Sequence, residues 1–181
     1  MQKIREFILT FSYCGKSKKA PGTVGSLASV IVWFFVTMWF CNHEVSIFWQ
    51  SFIWGATLLL TLIYASFEIK HYVANLAKTT GTSKKHDVDH QSIVLDEFVG
   101  QVLALQLSFL FLHQNYFQKP FLITAHLIFS FIIFRFFDIT KPSFIGYVDR
   151  NFKSGFGVMF DDLLCGIIAA GIFIIGYILI I

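Results

Sequence analysis

Long uncharged stretches alternate with short charged ones along this chain. Val24 to Cys41, Val45 to Ser66 and Leu163 to Ile181 contain no Asp, Glu, Lys or Arg. Each reaches the roughly 17–25 apolar residues that a helix needs to cross a hydrocarbon core about 30 Å thick. Two further stretches are weaker. Phe98 to Leu112 carries Gln101 and Gln106, and Phe121 to Phe137 carries His126 and Arg135, a pattern that also suits buried helices of a soluble bundle. Phe7 to Tyr13 is too short for a span or a signal-peptide core, no small-residue cleavage site follows it, and it is expected at the membrane interface. Phe67 to Lys78 mixes apolar positions with Glu68, Lys70 and Lys78, which predicts an amphipathic helix lying at the interface or prolonging the second span. The pattern predicts an all-α polytopic membrane bundle: about five hydrophobic helices plus an amphipathic interfacial helix, in a single domain over residues 1–181.

Composition narrows the function classes. Of 181 residues, 56% are hydrophobic and 14% charged, against about 25% charged in soluble domains, and the mean hydropathy is +0.68. A net charge of +3 on so apolar a chain fits membrane loops better than nucleic-acid binding. Cys14, Cys41 and Cys165 lie far apart without CxxC spacing, which indicates free thiols rather than a zinc site or a disulfide framework. If all five stretches span, every Lys and Arg except Lys119, and every acid except Glu44, falls on one face. The positive-inside rule makes that face cytoplasmic. A carrier or channel would need polar groups at depth, and the spans offer little beyond Gln101, Gln106, His126 and hydroxyls.

The charge gathers in four clusters at helix ends. The first, Ala20-Pro21-Gly22-Thr23-Val24-Gly25-Ser26, opens the first span with a tight turn; it reads either as a plain capped helix entrance or as an anion site made of backbone N–H groups. The nearby Gly15-Lys16-Ser17 copies the end of a phosphate-binding loop, but Thr10 stands where that motif needs glycine, and no strand precedes it. In the second cluster Asp96 and Glu97 sit at the mouth of the third span. They complement the helix dipole there, and Glu97 shares a face with Gln101 one turn on. The third cluster holds Arg135, Asp138, Lys141 and Pro142 and runs on to Asp149 and Arg150; a local Arg135–Asp138 ion pair would account for part of it. The fourth, Gly155-Phe156-Gly157 leading to Asp161 and Asp162, is backed by Gly166 and Ala170 at a spacing that lets membrane helices approach closely.

Five carboxylates at three helix ends repel one another unless a cation joins them. All-oxygen ligands select a hard ion, and Mg²⁺ bound by a few carboxylates and a substrate phosphate fits best. Arg135, Lys141 and Arg150 can then bind phosphate oxygens. His86, Asp87, Asp89 and His90 read as a solvated loop, with Asp89 near enough in sequence to lend a ligand. His126 reads as a packed core histidine.

These clusters resemble the phosphatidylglycerophosphatase A family of bacteria. The residues that carry the resemblance are Ala20 to Leu27, then Ser92-Ile93-Val94-Leu95-Asp96-Glu97-Phe98-Val99-Gly100, then Phe134-Arg135-Phe136-Phe137-Asp138-Ile139-Thr140-Lys141-Pro142, and Gly155 to Asp162 with Gly166. The resemblance implies a Mg²⁺-dependent lipid phosphatase of phospholipid synthesis, embedded in the bacterial inner membrane, whose phospholipid substrate is phosphatidylglycerol phosphate. It implies Asp96, Glu97, Asp138, Asp161 and Asp162 as metal or catalytic groups, and Arg135 and Lys141 as phosphate binders. Thr23, Ser26 and Arg150 complete the candidate substrate contacts. One departure stands out: Tyr13-Cys14-Gly15-Lys16-Ser17-Lys18-Lys19 is basic where the family is often glycine-rich with a proline, and this run suits anionic lipid. The cysteine-phosphatase spacing is absent, and Asp87-Val88-Asp89 lacks the residue expected of a haloacid-dehalogenase-type nucleophile. The competing classes are a small membrane transporter and a non-catalytic scaffold.

Overall fold

The computed structural model describes residues 2–80, 90–152 and 154–180. His86, Asp87 and Asp89 lie outside the described residues. Among those described, the chain is helical without strands: α1 (Gln2–Leu9), α2 (Pro21–Asn42), α3 (Ile47–Thr80), α4 (Leu95–Leu112), α5 (Pro120–Thr140), α6 (Ser143–Asn151) and α7 (Gly155–Ile180), with 3₁₀ turns at Cys14–Lys16 and His113–Gln118. Five of these, α2, α3, α4, α5 and α7, are long and apolar enough to cross a membrane. The all-α membrane bundle expected from the hydrophobic pattern is what forms.

Helix ends follow local chemistry. Pro21 and Pro120 occupy the first turns of α2 and α5, where a missing N–H costs nothing and φ is already helical. Lys141 ends α5 in the left-handed region at φ 39°, and Pro142 then blocks continuation, which turns the chain into the short α6. The segment Phe67 to Lys78 prolongs the second span instead of forming a separate helix: α3 runs unbroken for 34 residues, about 51 Å at 1.5 Å per residue. Arg5 pairs with Glu68 and ties α1 to that extension.

Two helix starts come earlier than the uncharged stretches suggest. α4 begins at Leu95 and α7 at Gly155, which places Asp96 and Glu97 in the first turn of α4 and Asp161 and Asp162 in the second turn of α7. These four acids are therefore parts of helices rather than of loops before them.

α4 is the hub. Its span is 72% buried, against 17% to 39% for the other four. It packs most extensively on α7, and glycine makes that contact possible. A Cβ on Gly166 would strike the carbonyl oxygen of Gly100, and one on Gly100 would strike the carbonyl of Asp162 and the Phe134 ring. Backbones thus touch without intervening side chains. On the outside, large apolar side chains such as Phe35, Phe48, Leu60, Ile132 and Ile175 are exposed, a surface that water would penalise and lipid solvates.

Candidate active site: an acidic cleft over the start of α4

The Gly100–Gly166 crossing has a direct consequence one turn away. It draws the first turn of α4 against the second turn of α7, and Asp96 and Glu97 then face Asp162. Over them opens a cleft of about 690 Å³, walled by the starts of α2 and α7, the end of α5, and α6. All five acids singled out from the sequence line it, together with Arg135, Lys141 and Arg150. Thr23 and Ser26 do not. Ser26 is buried behind the wall, where its Oγ lies 3.5 Å from Arg135 Nη1 as acceptor and donates to the Gly22 carbonyl at 2.9 Å. It bears on the cleft through Arg135.

The five carboxylates sort into two kinds. Asp138 is paired with Arg135, three residues before it on α5. Asp161 is paired with Lys141 Nζ at 2.5 Å, and the same ammonium holds Asp149 at 2.5 Å. Asp96, Glu97 and Asp162 form a separate group, each offering an oxygen within 4.8 Å of the others. Arg135 reaches this trio only weakly, 3.8 Å from Glu97 Oε1. Asp96 and Asp162 are buried, at 8% and 3% exposure, so water does little to screen their mutual repulsion. Glu97 Oε2 and Asp161 Oδ1 are buried with no hydrogen-bond partner among the described residues.

Three acids whose oxygens lie within 4.8 Å of one another, one of them with a buried oxygen, Glu97 Oε2, that lacks a donor among the described residues, make a donor set suited to a hard divalent cation. The residues present fit such an ion.

Lys141 cannot act as a base here. Burial alone would lower its pKa, but Asp161 and Asp149 outweigh this by charge and hydrogen bonding and hold it above the ordinary 10.5. It stays an ammonium at neutral pH.

Glycine also shapes the cleft on the α2 side. A Cβ at Gly22 would run into Glu97 Oε1 and lie 3.1 Å from Arg135 Nη1, so only glycine lets α2 close on this ion pair. The start of α2 has no side-chain cap. The capped-entrance reading of this cluster therefore fails, and the first-turn N–H groups are left to other partners.

Two charged lining residues were not singled out as site residues in the sequence. Asp149 lies on α6 across Pro142 from Lys141, eight residues away, a separation that no helical periodicity flags; its only signal was its place beside Arg150. Lys18 belongs to the basic run before α2, which reads from sequence as a lipid contact. Gln101, expected to share the target of Glu97, lies one turn deeper, fully buried, with both side-chain amide atoms lacking a partner among the described residues. His90 is exposed and bonds Ser92 Oγ at 2.8 Å.

Comparison with known proteins bears on the same residues. The family model for phosphatidylglycerophosphatase A matches residues 7–177. A protein of Escherichia coli (strain K12) with that name is 34% identical over 158 residues, covering 87% of this chain and 74% of its own length. One from Haemophilus influenzae is 35% identical over 150 residues, covering 83% and 74%. A protein of Bacteroides thetaiotaomicron, provisionally named a phosphatidylinositol-3-phosphatase, is 31% identical over 153 residues, covering 84% and 80%. No solved structure matches the chain at a significant level. The family match runs from the end of α1 into the last turns of α7 and takes in every residue of the cleft, and the chain belongs to the phosphatidylglycerophosphatase A family.

Proposed function

We propose that the chain, as one domain, is a Mg²⁺-dependent lipid phosphatase that cleaves phosphatidylglycerol phosphate to phosphatidylglycerol and phosphate. Its cleft faces the cytoplasm from the bacterial inner membrane. The observation that carries this reading is the arrangement of charge in one cleft at the ends of membrane-type helices: Arg135 and Lys141 each held by acids, beside Asp96, Glu97 and Asp162, which offer oxygens within 4.8 Å of one another.

Asp96, Glu97 and Asp162 would hold the ion. When bound, Mg²⁺ supplies positive charge to the phosphoryl oxygens and Lewis acidity toward water. Arg135 and Lys141 set fixed positive charge beside the phosphoryl group, where charge spreads in the transition state. Asp138 and Asp161 keep those two side chains in place, and Ser26 does the same for Arg135 from α2. The uncapped N–H group of Gly22, at the start of α2, suits a phosphate oxygen. Arg150, exposed at the edge of the cleft, meets the incoming lipid headgroup. Hydrolysis joins the water oxygen to phosphorus and breaks the bond to the glycerol oxygen, which leaves with a proton; a carboxylate of the set takes up the proton that water loses.

The purified protein in nonionic-detergent micelles is expected to release phosphate from phosphatidylglycerol phosphate with Mg²⁺ and to stop when the ion is chelated. Asp162→Asn should lose this activity while melting as a folded protein. A wild-type protein that releases no phosphate under these conditions refutes the reading. Reporter fusions between residues 141 and 154 should report a cytoplasmic location.

A further inference from the structure

Four basic side chains line the cleft: Lys18, Arg135, Lys141 and Arg150. They are not equivalent. Arg135 and Lys141 are held by carboxylates and sit beside the buried acids. Lys18, from the segment before α2, and Arg150, from α6, are both exposed, and neither has an ion pair among the described residues. Among the described residues the cleft therefore has a floor whose positive charge is already matched and a mouth whose positive charge is not.

The proposed substrate has two anionic groups of different kinds. The terminal phosphate monoester is the one hydrolysed, and one glycerol unit away an internal phosphodiester joins the headgroup to the lipid. If the monoester occupies the floor, beside the three acids that hold the ion, the phosphodiester lies nearer the mouth. A lipid phosphate whose monoester sits directly on diacylglycerol has no such second charge. We infer that Lys18 and Arg150 bind the internal phosphodiester and so select lipid phosphates that carry one. The inference rests on the phosphatase reading and adds a specificity element to it. It also gives the basic run before α2 a role inside the cleft rather than only against the membrane surface.

The test compares steady-state kinetics of Lys18→Gln, Arg150→Gln, the double variant and Lys18→Arg on phosphatidylglycerol phosphate in nonionic-detergent micelles with Mg²⁺. Phosphatidic acid, which lacks the internal diester, serves as competing ligand. Two exposed charge contacts lead to an expected rise in KM of about tenfold for the double variant, with kcat within about twofold of wild type. Each single variant should show part of that rise, Lys18→Arg should keep the wild-type KM, and the inhibition constant of phosphatidic acid should stay unchanged throughout. An unchanged KM in the double variant overturns the inference, as does an equal weakening of phosphatidic acid, which would place these cations on the monoester. Failure of the phosphatase reading itself looks different: the wild-type protein then releases no phosphate.

Discussion

Two groups of buried polar side chains lie about 18 Å apart along α4 at its 1.5 Å rise, and they are built on opposite rules. Toward the end of α4, His126 is fully buried between Ser108 and Tyr116, with Nε2 2.6 Å from Ser108 Oγ and Nδ1 2.8 Å from Tyr116 Oη. The proton count closes in one way. Ser108 donates to the Ala104 carbonyl at 2.7 Å, so it accepts from Nε2–H, and the Tyr116 hydroxyl donates to Nδ1. Trp33 packs edge-on against the imidazole at 5.5 Å and donates to Gln106 Oε1 at 2.9 Å, while Gln106 in turn donates to Ser51. Every group in this network has its partner. At the start of α4, by contrast, three carboxylates crowd together, and the buried Glu97 Oε2 lacks a donor among the described residues. A buried network whose bonds are complete specifies packing; one left incomplete costs stability unless a ligand completes it. The histidine inside the membrane bundle is a packed group with its bonds complete, and the acids at the other end of α4 are the candidate site.

That contrast can be broken by experiment. The largest effect is expected from Asp96→Asn, which should lower phosphate release by at least about a thousandfold, roughly 4 kcal/mol in the barrier. It should also abolish the rise in melting temperature that Mg²⁺ gives the wild type. If activity and the Mg²⁺-induced rise both survive, the incomplete network is not a metal site. At the other end, His126→Leu strands the Tyr116 hydroxyl and should cost about 2 kcal/mol of stability, read by thermal unfolding in detergent. Its kcat at permissive temperature should match the wild type, and a selective loss of kcat would make the histidine more than scaffold. Smallest is Asp149→Asn, which frees one side of Lys141 and should lower kcat/KM about tenfold, near 1.4 kcal/mol. The pH sign follows from the raised Lys141 pKa. Stability from its ion pairs is fully present below the ordinary value of 10.5 and is lost only as pH climbs through the higher folded value. Weak alkali should therefore leave unfolding of the wild type unaffected by this cluster.

Much of the site was legible because its residues announce themselves locally. Asp96 and Glu97 next to an apolar run, Arg135 three residues from Asp138, and Gly166 four before Ala170 are short-range patterns that helical periodicity interprets. The partnership of Lys141 with Asp149 was not, since it bridges a helix end, a proline and a new helix. Nor could the sequence distinguish Asp138 and Asp161 from Asp96, Glu97 and Asp162: as letters, the five acids are alike. His126 was read correctly as packed, although its partners Ser108 and Tyr116 come from other elements.

By itself the sequence determined the five apolar spans, the gathering of charge at one set of helix ends and the candidate acids and bases, because hydrophobic length and charge placement are properties of the chain read in order. Only the tertiary structure decided which acids are held by Arg135 and Lys141 and which gather within 4.8 Å of one another. That choice depends on how closely α4 and α7 approach through Gly100 and Gly166, and on whether Arg135 and Lys141 reach Asp138 and Asp161. Electrostatic pairing in a buried site is set by distances of a few ångströms between segments far apart in the chain, and no local pattern encodes them.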